Sequence, residues 1–341
     1  MALQVLWFIL WGLLWAVYFM LDGFDFGSII MRPFVSKDDA DRKVVLHTIG
    51  PVWDGNEVWL ITAGGATFAA FPAAYASMFS FLYMPMLIVL FCLIGRGVAV
   101  EFRAKDEAAQ WHSVWDWVMW ATSLLVSFFF GLIFGNIFRG LPITAGGYLG
   151  TFGGMFNFYG ILSGVLFAGL FVSHGALWLG VKAEGDVAER SVRFAKVFWF
   201  VVLAVAVVFL ISTAFATKLY DNYLAHPVWI IVPLLAVLAL LGVRVALARE
   251  RRLFAFFASC AVIVLVTFTG IIGLYPNLIP STADPASSIT LFNASSSQKT
   301  LTVMTVVVAI FVPIVIAYQI VVYRFFRQKV SRNSAGEVEA Y

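Results

Sequence analysis

Runs of about twenty apolar residues recur along the whole chain, separated by short polar connections that carry most of the basic residues. A bilayer's hydrocarbon core is ~30 Å thick and takes roughly 20 helical residues to cross. It holds no water, so every backbone N–H and C=O inside it must pair within the protein. Runs of this length, repeated this often, point to a bundle of membrane-spanning helices. With 62% of 341 residues hydrophobic, 12% charged and a mean hydropathy of +0.93, the apolar surface far exceeds what one water-soluble core would hide. The expected fold class is an all-α polytopic membrane protein. Its nine transmembrane helices lie near 3–31, 51–71, 78–101, 114–137, 157–180, 196–217, 227–247, 253–274 and 301–325, in a single transmembrane domain over residues 1–341. The first run lacks a basic leader and a small-residue cleavage site, so it reads as a retained span. No basic region outside the spans offers a nucleic-acid footprint.

The basic residues set the expected orientation. Nineteen of the 22 Lys and Arg fall in the first, third, fifth and seventh connections and the C-terminal tail, with Arg96 assigned to the third. The alternate connections hold Arg139, Lys218 and Lys299. By the positive-inside rule the N-terminus is outside and the C-terminus cytoplasmic. The connections near 139–156 and 275–300 are the longest and read as outer loops from their Gly, Pro, Ser, Thr and Asn content.

Acids then stand out. Asp54 and Glu57, three apart on one helix face with Ile61 continuing the stripe, begin the second span. Asp22, Asp25, Glu101 and Asp116 lie toward the same, cytoplasmic side, and the outer halves of those spans hold no acid. A charged carboxylate at mid-bilayer costs at least ~2.5–3.5 kcal/mol, so such residues usually face a protein interior and serve a function. Two readings compete: pairing with nearby Arg and Lys to anchor helix ends, which suits Asp22 and Asp116, or a hydrated intake for protons or cations. The second suits Asp54, beside which Gly55 leaves room and Asn56 offers an amide to orient water or the acid.

The remaining chemistry-bearing residues read quietly. His174 is the one histidine within an apolar span, and a helix–helix hydrogen bond suits it better than haem ligation, because no second histidine matches its depth. Cys92 and Cys260 sit in apolar runs as packing residues, with no CxxC or CxxCH spacing. Trp7, Trp11, Trp59, Trp178 and Trp229, near span ends, suit interfacial belts or a partner contact. Gly23 with Gly27, and Gly160 with Gly164, are small-xxx-small pairs suited to close helix packing.

Several strings together resemble a known family. They are Asp22-Gly-Phe-Asp25-Phe-Gly27, Trp53-Asp-Gly-Asn56, Val58-Trp-Leu-Ile-Thr-Ala-Gly-Gly65, Trp115-Asp-Trp117 and Gly131-Leu-Ile-Phe-Gly-Asn136. The outer stretch adds Pro280-Ser-Thr, Asn293-Ala-Ser, Ser296-Ser-Gln298, Thr300, Leu301 and Met304. In this order they resemble subunit II of the bacterial cytochrome bd quinol oxidases over nearly the whole chain. The resemblance implies a multi-pass protein of the bacterial cytoplasmic membrane that partners subunit I. It also leaves room for a small single-helix subunit, membrane lipid and quinone. The complex would oxidise quinol and reduce dioxygen to water, with haem b and haem d held mainly by subunit I and none ligated by this chain. The implied proton route runs through Asp54, with Glu101 and Lys105 nearer the entrance, Asp25 on the first span, and Tyr341 capping the entrance. Glu101 stands where relatives often carry Asp, and Glu57 where many carry Gln, which leaves Glu57 without an implied role. Two other classes remain open from the residues alone: a proton-coupled secondary transporter using the same acids, and a structural subunit that only supports assembly.

Overall fold

The first helix, α1 (Ala2–Val35), meets no proline before Pro33 and runs for 34 residues, about 51 Å at 1.5 Å per residue. That outruns a ~30 Å hydrocarbon layer, and most of α1 is nevertheless buried, because it is the axis of the bundle. It packs on α3 (Trp53–Ala70), α6 (Ala109–Arg139), α7 (Phe158–Lys182) and α11 (Arg252–Leu274), and touches α12 (Gln298–Phe325). Phe19 of α1 is the centre of an aromatic cluster with Phe130, Phe134, Phe167 and Phe171. The computed structural model describes residues 1–337; Tyr341 lies outside the described residues.

Eight helices of the described chain are long and apolar enough to cross a membrane, and a bent pair makes a ninth. That pair is α3 and α4 (Pro72–Phe81), which meet at 120°. Pro72 opens α4 and disfavours a helical Phe71, whose φ and ψ are −133° and 63°. Residues 78–81, expected to start the third span, belong to α4, and the third spanning helix is α5 (Tyr83–Phe102). The other spans are α8 (Gly185–Ala216), α10 (Ile231–Ala248) and those named above. Helix α8 begins eleven residues before its expected start, on a polar segment that carries Glu189, Arg190 and Arg193.

Helices α2 (Asp39–Ile49), α9 (Leu219–Ala225) and α13 (Arg332–Glu337) are short and lie between or after the spans. Asp38 caps α2 by accepting the Asp41 N–H at 2.9 Å. Helix α2 packs on the end of α1 where most basic residues gather, called here the basic end. At the opposite end the two long connections are ordered against each other. Each carries a small antiparallel ribbon, and the Leu141 N–H donates to Pro280 O at 2.9 Å.

The glycine pairs mark close helix crossings. A Cβ placed on Gly27 of α1 would fall 2.6 Å from the carbonyl carbon of Phe171 and 2.9 Å from the Gly175 nitrogen, both on the α7 backbone. Gly131 of α6 and Gly164 of α7 meet in the same way. Four of the five tryptophans expected at the interfaces are core residues instead: Trp7, Trp11, Trp59 and Trp178 are buried. Their indoles are used inside, Trp7 donating to Thr305 Oγ1 and Trp11 to Thr67 Oγ1, each at 3.0 Å.

Candidate functional site

Two turns of α1, the first turns of α3 and the later half of α5 bring a buried acid group together near the basic end. Asp22 and Asp25 are fully buried. Arg96, buried in α5, donates to Asp22 Oδ1 at 2.5 Å and to Glu57 Oε2 at 3.0 Å. Its guanidinium lies 4.4 Å from the centroid of the Phe26 ring, an added favourable contact for a cation out of water. Asp25 has no cation of its own. Its Oδ2 accepts from Asn56 Nδ2 at 2.8 Å, and Asn56 Oδ1 in turn accepts from Tyr323 O–H of α12 at 2.8 Å. Two atoms of this group are buried with no hydrogen-bond partner among the described residues, Asp25 Oδ1 and Arg96 Nε, while the Tyr18 hydroxyl, one turn before Asp22 on α1, is turned to the Asp22 carboxylate. Native proteins rarely leave such atoms unmade without a role for them. Chemically, the chamber sets three carboxylates around one guanidinium, two of them bonded to it, and leaves Asp25 Oδ1 as a buried acceptor without a partner among the described residues.

The expected site residues separate around this chamber. Asp25 is inside it. Asp54 lies in the first turn of α3 but is exposed on the outer face of the isolated chain, and among the described residues it has no hydrogen bond or ion pair. Gly55 is exposed beside it and has open space where a Cβ would go. Ile61 continues this outward stripe at 73% exposure. Glu57, at the edge of the stripe, turns inward to Arg96 with 22% of its side chain exposed. Asn56 orients Asp25 and not Asp54, because residue 56 points back across α1. Glu101 is half-buried and Lys105 exposed, and neither has a side-chain hydrogen bond among the described residues. They end α5 beyond Arg96 without joining the chamber.

Arg96 is the residue that sequence reasoning misplaced. It was assigned to a connection, but it is a 1%-exposed member of α5. Apolar residues on both sides of Gly95-Arg96-Gly97 were the available signal. Arg32 is similar, buried at the end of α1.

A second charged cluster closes the basic end. Asp116 of α6 pairs with Arg32 at 3.0 Å, Arg42 at 3.2 Å and Arg103 at 2.5 Å. Arg103 also pairs with Asp39 of α2. Partial burial pushes the Asp39 carboxyl up, but the Arg103 hydrogen bond and charge outweigh it and hold Asp39 below the usual carboxylate value. Asp41 of α2 accepts from Arg190 at 2.5 Å and from Arg332 of α13 at 2.6 Å. These pairs tie α1, α2, α5, α6, α8 and α13 into one collar, the anchoring role expected for Asp116.

His174 is a satisfied core histidine. Its Nδ1 lies 2.6 Å from Ser259 Oγ and its Nε2 3.0 Å from Met20 O, with the ring stacked on Phe256. Both ring nitrogens are therefore engaged in tying α7 to α11 and α1. Cys92 and Cys260 are free thiols packed among apolar residues. Among the described residues no group of three or more His, Cys, Asp or Glu is placed to hold a metal ion.

Comparison with known proteins accounts for the whole length. The family model for cytochrome bd terminal oxidase subunit II matches residues 3–326. Cytochrome bd ubiquinol oxidase subunit 2 of Bacillus subtilis is 36% identical over 333 residues, covering 97% of this chain and 98% of that protein. Cytochrome bd-I ubiquinol oxidase subunit 2 of Escherichia coli is 32% identical over 370 residues, with 98% of each covered. A chain in the structure of bd oxidase from Geobacillus thermodenitrificans shares the fold, with a TM-score of 0.78 at 16% identity over 96% of this chain and 99% of that one. The chain is thus a multi-pass bacterial membrane protein and one subunit of a haem-containing quinol oxidase complex, which implies a subunit I as its partner. By family model and by full-length relatives alike, it belongs to the cytochrome bd terminal oxidase subunit II family.

Proposed function

We propose that this chain supplies the proton-uptake side of the oxidase, carrying protons from the cytoplasm through the buried acid chamber toward subunit I. The single observation that carries the reading is the charge ratio: Asp22 and Glu57 share one cation, Arg96, and Asp25 beside them has only the neutral Asn56 amide. Burying charges without partners costs several kcal/mol per ion, so such a chamber is neutral only when it holds protons. The haems, b and d, would be held mainly by subunit I and supply electron transfer and dioxygen reduction. Each electron arriving there must be matched by a proton, and a buried carboxylate that exchanges with cytoplasmic water provides that match without an open pore. In this reading the N-terminus lies outside and the C-terminus in the cytoplasm, the orientation favoured by the distribution of basic residues, so that the basic end faces the proton source.

Asp54 is the relay carboxylate in this reading. Its exposed position fits a face covered by subunit I: Gly55, Gly64 and Gly65 leave the outer side of α3 open to a close approach, and α12 beside it is almost wholly exposed. Under that cover Asp54 lies between the two subunits. Glu101 and Lys105, at the end of α5, stand at the entrance, and Asp25 receives protons inside. A small single-helix subunit, lipid and quinone complete the surroundings of the complex. A proton-coupled transporter needs acids or broken helices near the midplane, reachable from both sides; the acids at one end favour the oxidase reading.

The test is Asp54→Asn in the assembled complex. Haem content should be unchanged while quinol-driven oxygen consumption falls at least ~100-fold, the range for loss of a proton-transferring side chain. Unchanged turnover removes Asp54 from the route, and loss of haem turns it into a bracing residue.

A further inference from the structure

Glu57 belongs to the acid chamber but has been given no proton-transfer step of its own, and it is the acid that connects the chain's exposed face with the buried pair Asp22 and Asp25. Its side chain keeps 22% exposure, against 0% for Asp22 and 1% for Arg96, to which both acids are bonded. It lies one helical turn from exposed Asp54 on α3. Exposure thus falls in steps from Asp54 to Glu57 to Asp22. The charges facing Glu57 are Asp54 from its own helix, Arg96 from α5, and Tyr18, Asp22 and Asp25 from α1; Tyr323 of α12 reaches the same chamber through Asn56. One guanidinium charge is divided between two carboxylates, and a third acid, Asp25, stands beside them with a neutral partner. A single cation neutralises only one of the three.

Resting on the proton-uptake reading above, we propose that Glu57 is a proton-holding residue of that route, the loading step between the Asp54 face and the buried pair Asp22 and Asp25. The step moves no electrons. A carboxylate oxygen of Glu57 takes the proton that the relay acid Asp54 has brought in, forming an O–H bond as the Asp54 O–H bond breaks and leaves Asp54 a carboxylate. That O–H bond then breaks as the proton passes inward to the free acceptor oxygen Asp25 Oδ1, which lacks a partner among the described residues. Glu57 returns to its Arg96 bond as a carboxylate. Arg96 is a positioning residue here: it holds Asp22 and Glu57 on either side of one charge and exchanges no proton itself.

Glu57→Gln in the assembled complex tests this, because the amide oxygen can still accept from Arg96 Nη2 while the side chain no longer carries a proton. With haem content unchanged, turnover should match the unmodified complex near pH 6, where protons are plentiful. It should fall roughly threefold or more near pH 8.5, where a holding site limits uptake. Redox-induced infrared difference spectra should show a protonated-carboxyl carbonyl band that the variant lacks. A pH profile that superimposes on the unmodified one, or a band that survives the substitution, overturns the proposal, as does a pH-independent loss of turnover together with haem. Should Glu57→Gln assemble poorly, Glu57→Asp carries the same test: it must keep alkaline turnover and shift the band, and an unmoved band refutes a protonated Glu57. Asp54→Asn run in parallel separates the two readings. If that variant is inactive and Glu57→Gln behaves as native, the route stands and Glu57 is not on it; if neither changes turnover, the route itself fails.

Discussion

The α1–α7 crossing sets where Asp22 and Asp25 lie, and one methyl group tests it. In Gly27→Ala the new Cβ would fall 2.6 Å from the Phe171 carbonyl carbon and 2.9 Å from the Gly175 nitrogen. The Phe171 carbonyl oxygen lies closer still, and ordinary contact begins at 3.4 Å, so the two backbones must part by more than the 0.8 Å that the carbonyl carbon alone demands. No side chain can rotate away, because both obstacles are main chain. Overpacking a close contact costs about 1–3 kcal/mol, and a backbone-on-backbone clash belongs at the upper end. Alanine's better helix propensity returns about 1 kcal/mol, which leaves a net loss of about 2 kcal/mol. Gly169→Ala on α7 is the control. The nearest atom to its new Cβ is a Val202 methyl at 3.9 Å, so only the propensity gain of about 1 kcal/mol remains. The two variants should therefore differ by about 3 kcal/mol, or roughly 6 °C in the melting midpoint of the purified complex at ~2 °C per kcal/mol. Equal midpoints would refute the close-approach account of Gly27. The oxygen-consumption rate of Gly27→Ala should also fall, since Gly27 is two residues from Asp25 and its displacement moves the chamber.

Asp116→Asn removes the carboxylate shared by Arg32, Arg42 and Arg103, two of which are buried. Stranding buried charges costs about 3–5 kcal/mol, so the complex should melt markedly lower, and a midpoint within a degree or so of the native one would show that the collar is slack. Acid should undo the docking of α13 on α2. The Asp41 N–H bond to Asp38, reinforced by Arg332, holds Asp38 below its ordinary value of 3.8, and Asp39 is held low as well. A carboxyl depressed in the folded state contributes stability that is complete above its ordinary value and lost as pH falls below it. Hydrogen exchange of the α2 and α13 amides, corrected for its intrinsic pH dependence, should therefore be protected at pH 5 and above and released below about pH 4. Protection that persists to lower pH would mean that apolar packing, not these charges, seats the tail.

The spans were legible because hydrophobic length is a one-dimensional property, and seven of the expected nine coincide with single helices of similar bounds. The bend between α3 and α4 was not, since an apolar run has no direction and Met78–Phe81 read equally well as the start of the next span. Charges in connections were assigned by proximity to a polar segment, which misplaced Arg96 even though it lies among apolar residues. Tryptophans near helix ends read as interfacial, but Trp7 and Trp11 lie on the inward face of α1, opposite the exposed Leu6, Ile9 and Leu13, so they are inside despite their position in sequence. The chamber itself required tertiary information. Asn56 and Tyr323 are 267 residues apart, and Asp22 and Arg96 are 74 apart. Only the Asp22-Gly-Phe-Asp25 and Trp53-Asp-Gly-Asn56 strings, read as a family signature, placed two of its walls in advance.

The two charged clusters of this chain sit within a few helical turns of each other, and burial alone does not tell them apart. Their composition does. Around Asp116, three arginines surround one carboxylate. Its bonds reach α1, α2 and the end of α5, so it braces. Around Arg96 the ratio is inverted, with Asp22 and Glu57 bonded to one guanidinium and Asp25 next to them on a neutral amide. A group with more acids than cations in a low-dielectric interior can satisfy itself only by taking up protons. It can release them only when something else accepts the charge. An electron moving through a neighbouring subunit is such a counterpart. Under the proposed proton-uptake reading, the excess of carboxylates over cations, more than the depth of any one of them, is what would make the Asp22, Asp25 and Glu57 group a place of proton exchange.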